Sequence, residues 1–204
     1  MQVKKNEVPI LIVNLGYIVV FGGLSLARLN YEFVIYTAVI VLFFSLIFAA
    51  QRKVEFSQTV LWGLTAWGFL HMIGGHVFVG GKRLYELILL PLLPEYEILK
   101  YDQFTHMFGF GVATLAAYHL LRPHLKDRPH GWRTLSALVF LMGMGLGALN
   151  EVLEFLVVLV APASGVGGYL NTALDLSFNM LGAVLAVGWL SLRRMRGKGE
   201  LPTV

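Results

Sequence analysis

Composition places this chain of 204 residues among membrane proteins. Hydrophobic residues make up 57% of it and charged residues only 14%, whereas about a quarter of a soluble globular domain is charged. The net charge of +4 does not indicate nucleic-acid binding, because the basic residues lie between apolar segments, as in membrane proteins. The absence of cysteine excludes disulfides, thiolate metal ligands and a cysteine nucleophile.

Six apolar segments of about 20 residues predict an all-α protein with six transmembrane helices in one bundle and a single domain. The first two are almost entirely apolar, so we assign them to the scaffold. The connection at 82–100 is too short and too interrupted by proline to span, and we expect it to lie in the membrane interface or to re-enter partway. The predicted spans are residues 8–27, 31–50, 59–79, 102–121, 135–160 and 173–192.

Polar residues enter each of the last four predicted spans at helical spacing, so that the members of a pair lie close to one another along their helix. An ionisable residue inside a membrane costs about 2.5–3.5 kcal/mol on insertion scales unless it is paired, bound to an ion or hydrated. The pattern therefore indicates a functional site. Its residues are His71 and His76 in the third span, Asp102 and His106 in the fourth, Glu151 and Glu154 in the fifth, and Asp175 and Asn179 in the sixth.

The distribution of Lys and Arg predicts the orientation in the membrane. Only Arg28, Lys82, Arg83 and Lys100 fall on one side of the six predicted spans, and the other Lys and Arg residues fall on the opposite side. Because cytoplasmic loops accumulate positive charge, we expect both termini in the cytoplasm and the chain in the cell (inner) membrane. In that orientation these eight polar residues of the last four spans lie in the outer half of the membrane.

The order of short motifs in the second half resembles a known family. H-M-I-G-G-H, Y-D-x-x-x-H-x-x-x-G, E-x-x-E-F and D-x-x-x-N-M-x-x-x-G-A follow one another between about residues 70 and 187, as in the YjdF-like bacterial inner-membrane proteins, a family known mainly as a domain of unknown function. The second half also resembles the shorter VanZ-like proteins. The YjdF-like pattern implies an Asp where this chain has Asn179.

Three interpretations of the polar residues remain open. The first is a metal-dependent enzyme of hydrolytic or transfer chemistry on an amphiphilic or lipid-like substrate, since His nitrogens and carboxylate oxygens without sulfur suit Zn²⁺, Mn²⁺ or Fe²⁺. The second is a proton or ion pathway of a transporter. The third is a non-catalytic membrane scaffold with polar bonds between helices. The predicted ligands are His71, His76, His106, Glu151, Glu154 and Asp175, with catalytic roles for Glu151, Asp102 and Asn179.

Two smaller predictions concern the surroundings of the site. Lys82 and Arg83 are candidates for binding an anionic head group. Gly143 and Gly147 have the GxxxG spacing that lets a neighbouring helix approach closely, and we expect them to pack rather than to bind a nucleotide. The predicted partners are membrane lipids and an amphiphilic small molecule, with no nucleic acid.

Overall fold

The computed structural model describes residues 4–125, 131–161, 166–197 and 201–202, and it is built from long α-helices. A two-stranded antiparallel hairpin of β1 (Phe78–Val79) and β2 (Lys82–Arg83) follows the third helix. Short 3-10 turns occupy Leu84–Glu86, Pro94–Tyr96 and Arg122–His124. The helices are α1 (Val8–Ala27), α2 (Tyr31–Val54), α3 (Gln58–His76), α4 (Tyr101–Leu121), α5 (Trp132–Val160) and α6 (Tyr169–Arg196).

The predicted all-α class is confirmed, and four helices of the described residues are long and apolar enough to cross a membrane: α1, α2, α5 and α6. The helices α3 and α4 occupy the predicted third and fourth segments but contain more polar side chains. Those of α4 are mostly buried within the bundle, including Gln103, Thr105, Thr114 and His119. His119 is buried, whereas its place near the end of the span predicts a solvated side chain. Phe56 packs against its ring, with centroids 5.9 Å apart.

Local sequence explains where the helices begin and end. The side chain of Asn30 accepts a hydrogen bond from Phe33 N at the start of α2, and Ser57 does the same for Val60 N at the start of α3. The third helix ends at His76, three residues before the predicted limit, because Gly80 and Gly81 form the hairpin turn with φ of +59° and +82°. In the connection between the predicted fifth and sixth spans, residues 162–165 lie outside the described part of the chain.

The helices α4 and α6 touch backbone to backbone. A Cβ atom at Gly182 would collide with the carbonyl oxygen of Met107 and would lie 2.8 Å from Gly111 N. On α5, Gly143 faces Thr114 and Ala183, and Gly147 faces Asn179. The packing role predicted for Gly143 and Gly147 is thus confirmed, and three helices meet closely at the level of the polar residues.

The helices α1 and α3 meet at a different polar group. Asn14 on α1 donates through Nδ2 to Thr65 Oγ1 on α3, at 2.7 Å, and to Ile10 O, at 2.8 Å. The hydroxyl of Tyr17 donates to Asn14 Oδ1 at 2.6 Å. Side chains of Tyr17, Phe33, Tyr36 and Met72 form the apolar core beside it.

Candidate metal centre

His106 lies at the centre of a buried cluster to which α4, α5 and α6 contribute. Its Nδ1 is 3.0 Å from Asn179 Oδ1 and 3.6 Å from Glu151 Oε1. Its Nε2 is 3.7 Å from Asp102 Oδ1 and 3.8 Å from Glu154 Oε1. Side chains from three helices therefore surround one imidazole ring at 3.0–3.8 Å, with Asn179 at hydrogen-bonding distance.

Two groups of side chains in this cluster can each hold a cation. One consists of Asp102, His106 and Asp175, and the other of His106, Glu151 and Glu154. Within each group the ligand atoms lie within 4.8 Å of one another, and His106 belongs to both. The structure thus brings together His106 and all four carboxylates of the predicted site, with Asn179 beside them.

Two asparagine amides each hold one carboxylate of the cluster. Asn150 donates through Nδ2 to Glu154 Oε1 at 2.8 Å, and Asn171 donates to Asp175 Oδ2 at 2.5 Å. Neither asparagine is among the site residues predicted from the sequence. Each nevertheless precedes its carboxylate by four residues and so lies on the same helical face. Each amide fixes the orientation of one carboxylate, as the outer partners of metal ligands do.

Asn179 decides which nitrogen of His106 is available as a ligand. Because its Oδ1 is an acceptor, the bond at 3.0 Å places the proton of the neutral ring on Nδ1. The lone pair of Nε2 then points toward Asp102 and Glu154. Metal-binding histidines are commonly oriented in this way, by donating the second ring N–H to an oxygen.

Several polar atoms of the cluster are buried without a hydrogen-bond partner among the described residues. Both carboxylate oxygens of Glu151 lack one, and this residue is 8% exposed. Oδ1 of Asp175, which is 0% exposed, and Nδ2 of Asn179 lack one as well. In the described residues the ion pairs of these carboxylates involve His106 alone. Four carboxyl groups therefore surround one imidazole, and burying them as anions is costly unless a cation is bound or the carboxyl groups take up protons.

The basic residue that precedes the cluster in the chain is already paired. Lys100, two residues before Asp102, forms an ion pair with Glu97 in the connection. The hydrogen bond and charge of its ammonium group hold the pKa of Glu97 below its ordinary value. Among the described residues, the direct ion pair of Lys100 is therefore with the connection and not with a carboxylate of the cluster.

His71 and His76 lie outside both groups of ligand atoms. Nδ1 of His71 is 2.7 Å from the Tyr85 hydroxyl, and its ring packs edge-on against Tyr36. Nε2 of His76 is 2.8 Å from Ser25 Oγ, while its Nδ1 is 2.8 Å from the backbone carbonyl of Met72. Because α3 packs between α1 and α4, His76 faces α1 and its two ring nitrogens have protein partners. The geometry therefore gives no support to these two residues as metal ligands.

The predicted anion site also differs from expectation. The guanidinium of Arg83 is 3.1 Å from the carboxylate of Glu32 at the start of α2. Lys82 is exposed on the hairpin. Because the carboxylate of Glu32 balances the charge of Arg83, the structure gives this prediction less support than the sequence alone does.

The fold and the cluster together define an all-α membrane protein with a buried His–carboxylate centre. The chain belongs to a family described as a predicted membrane protein, DUF2238, whose sequence model matches residues 9–196. This match confirms the YjdF-like resemblance, whereas the likeness to VanZ-like proteins is not shown. No curated protein and no solved structure matches the chain.

Proposed function

We propose that this protein is a metal-dependent membrane enzyme that carries out hydrolysis or group transfer on an amphiphilic, lipid-like substrate. The observation that supports it best is Glu151, a buried carboxylate with both oxygens unpartnered beside a ring already surrounded by three further carboxylates. A divalent cation would compensate this charge. It would also offset the free-energy cost of burying several anionic groups together.

The donor atoms suggest how the roles are divided. His106 Nε2, Asp102 and Glu154 face one another, and Asp175 completes the ligand set with Asp102. One nitrogen with carboxylate oxygens suits Zn²⁺, Mn²⁺ or Fe²⁺, and such an ion would activate a water molecule as the nucleophile.

Glu151 takes a separate role in this proposal. It lies on the other side of the imidazole, 3.6 Å from Nδ1, and neither of its oxygens has a hydrogen-bond partner. A carboxylate in that position is available to accept a proton, so we assign it as the general base. Asn179 orients His106 from the same side.

Metal content tests the first half of the proposal. Protein made without a histidine tag should contain about one divalent metal per chain by inductively coupled plasma mass spectrometry. His106→Ala should lose at least about nine-tenths of it. His119→Ala is the matched control, since His119 is a buried histidine on the same helix and away from the cluster. Equal metal in all three proteins, or none in the wild type after metal is added back, would contradict the metal centre.

Activity tests the second half. Wild-type protein and Glu151→Gln, both loaded with metal, are incubated in nanodiscs made from bacterial lipid extract, and the lipids are compared by mass spectrometry. A lipid product should form only with the wild type, although both proteins bind metal. Glu95→Gln, in the exposed connection, should behave as the wild type. A metal-loaded wild type that changes no lipid would refute the enzyme while leaving the metal centre intact.

A proton pathway is the second candidate, and one feature of α4 favours it. Buried polar residues continue along this helix from His106 to Thr114 and His119, and Nε2 of His119 has no partner. In that case proteoliposomes with a pH-sensitive dye should show proton flux that His119→Ala abolishes. Metal-loaded protein without flux would exclude this candidate.

We further propose that all six helices cross the cell membrane and that both termini are cytoplasmic. Burial of Thr65 on α3 and of most polar residues of α4 supports spanning by these two helices, because these side chains would face protein and not lipid. The excess of Lys and Arg on one side supports the orientation. A phosphatase that is active only outside the cytoplasm should be inactive when fused after residue 204 and active when inserted at the turn of Gly80 and Gly81. The reverse result would invert the topology.

A further inference from the structure

The connection between α3 and α4 presents a ridge of exposed leucines. Leu89, Leu90, Leu92 and Leu93 are 45%, 51%, 56% and 52% exposed, and we refer to these four residues as the leucine ridge. Phe78 and Val79 on the neighbouring hairpin are exposed as well. Soluble surfaces seldom keep several large aliphatic side chains together in this way.

The backbone under the ridge is held in place. Leu89 N donates to Leu99 O at 2.9 Å, Tyr101 N donates to Leu87 O at 2.8 Å, and Ile88 and Lys100 form an antiparallel bridge. These bonds tie the connection to the start of α4. The outward position of the leucines is therefore a feature of the fold.

The other side of the connection faces the protein. The hydroxyl of Tyr85 lies 2.7 Å from both Nδ1 and the carbonyl oxygen of His71, and its ring stacks on Phe33. At Gly74, an added Cβ would lie 2.7 Å from the Tyr85 ring, so the tyrosine fills a position that only glycine leaves open. The segment thus has an aromatic inner face and an aliphatic outer face.

We propose that the leucine ridge inserts into the head-group and acyl boundary of the lipid bilayer. No charged residue lies between Glu86 and Glu95, and those two glutamates, with Glu97 and Lys100, flank the ridge with polar groups. Residues 87–94 are too few to span a bilayer, so insertion is limited to the interface.

Continuity with the surface of α5 supports lipid as the occupant. The last two turns of α5 expose Phe155, Leu156, Leu159 and Val160. They follow Glu154, which approaches His106 near the start of α4, where the connection ends. The ridge therefore lies at the same end of the bundle as an apolar helix surface, and one bilayer leaflet can cover both.

Spin labelling tests this inference directly, because the chain has no cysteine of its own. Nitroxide labels are placed at Leu90→Cys and, independently, at Leu93→Cys in proteoliposomes, and their collision rates with oxygen and with a water-soluble nickel chelate are measured. Leu156→Cys on α5 is the control for a lipid-facing site, and Glu95→Cys is the control for a water-facing site in the same connection. Both ridge labels should collide with oxygen several times more often than with the nickel chelate, as at Leu156.

Two outcomes would overturn the inference. Nickel accessibility at Leu90 and Leu93 equal to that at Glu95 would mean that the ridge lies in water. Low collision rates with both reagents would mean that protein covers it, and dilution with unlabelled chains would show whether that protein is a second copy. Neither outcome bears on the metal centre, so the two proposals fail separately.

Discussion

Two groups of polar side chains are buried in this helical bundle, and they are built in opposite ways. In the group between α1 and α3, Asn14, Thr65 and Tyr17 satisfy one another at 2.6–2.8 Å. In the cluster around His106, atoms of Glu151, Asp175 and Asn179 have no partner. Both groups lie between packed helices, so burial alone does not distinguish them.

The difference indicates two purposes. In a fully bonded neutral group, the hydrogen bonds offset the free-energy cost of burying the polar atoms, and they fix how the two helices fit together. An acidic cluster with unpartnered oxygens costs stability, and such a cost is typical of a site kept for function. We therefore regard the Asn14 group as structural and the His106 cluster as the centre at which a ligand completes the bonding.

The largest effect should come from separating the two helices that frame the cluster. Gly182→Leu places a side chain against the backbone of Met107 and Gly111, which cannot move aside as a side chain can. We expect a loss of about 3 kcal/mol in the free energy of unfolding and loss of metal binding. Gly188→Leu is the control, because a Cβ at this position on the same helix meets nothing within 4 Å. If both variants unfold at the same denaturant concentration, the backbone contact is not what holds the cluster together.

A smaller effect is expected from the amides that orient the ligands. Asn171→Ala removes the bond of 2.5 Å to Asp175, so metal should bind about 10–100-fold more weakly while the unfolding transition of the metal-free protein stays close to that of the wild type. Isothermal titration calorimetry with Zn²⁺ and Mn²⁺ measures the affinity. Ser177→Ala, an exposed position on the same helix, should leave the affinity unchanged. An unaltered affinity in Asn171→Ala would remove Asp175 from the ligand set.

Removing a charge from the cluster should raise the free energy of unfolding, whereas ordinary core mutations lower it. After treatment with a chelator, Glu151→Gln should unfold at higher denaturant than the wild type, by about 1–2 kcal/mol, because it removes a buried carboxylate whose oxygens accept no hydrogen bond from the described residues. Added metal should stabilise both proteins, since Glu151 is assigned as a base and not as a ligand. Destabilisation of the chelated protein by this substitution would instead favour a structural role for the cluster.

The smallest loss of stability is expected in the group of Asn14, Thr65 and Tyr17, whose side chains bond one another. Asn14→Leu breaks the bonds to Thr65 and Tyr17, and we expect a loss of about 0.6–2 kcal/mol. Ser45→Ala on α2, whose hydroxyl bonds only its own helix at Val41 O, is the control and should be nearly neutral. A rise in stability on Asn14→Leu would erase the distinction between the two buried groups.

The predicted segments overlap the helices closely, and the spacing of the polar residues predicted which of them come together on α4, α5 and α6. The first predicted span coincides with α1, and Asp102, His106, Glu151, Glu154, Asp175 and Asn179 share one layer of the bundle. Spacing along a helix fixes depth, since each residue adds about 1.5 Å of rise. The spacing does not determine which neighbouring helix a given face of that helix contacts.

That limit accounts for what sequence reasoning did not find. His76 lies at the expected end of α3 but faces Ser25 on α1, because α3 packs against α1 as well as α4. Arg83 is paired with Glu32, a partner 51 residues away whose proximity no local pattern reveals. Asn150 and Asn171 were overlooked for a different reason. Their i, i+4 spacing to a carboxylate was visible, but neutral amides carry no charge that would mark them as costly in a membrane.

The contact between Gly111 and Gly182 has a consequence for motion. Two helices that touch through their backbones have no flexible side chains between them to absorb a sliding movement, so α4 and α6 should move as one body. His106 and Asn179 then keep their hydrogen bond through any opening of the bundle. The helix that is left to shift is α5, which approaches its neighbours at Gly143 and Gly147 through side chains such as Thr114 and Asn179. Opening the centre would thus carry Glu151 and Glu154 away from a stationary imidazole, and ion entry and release would follow the displacement of a single helix.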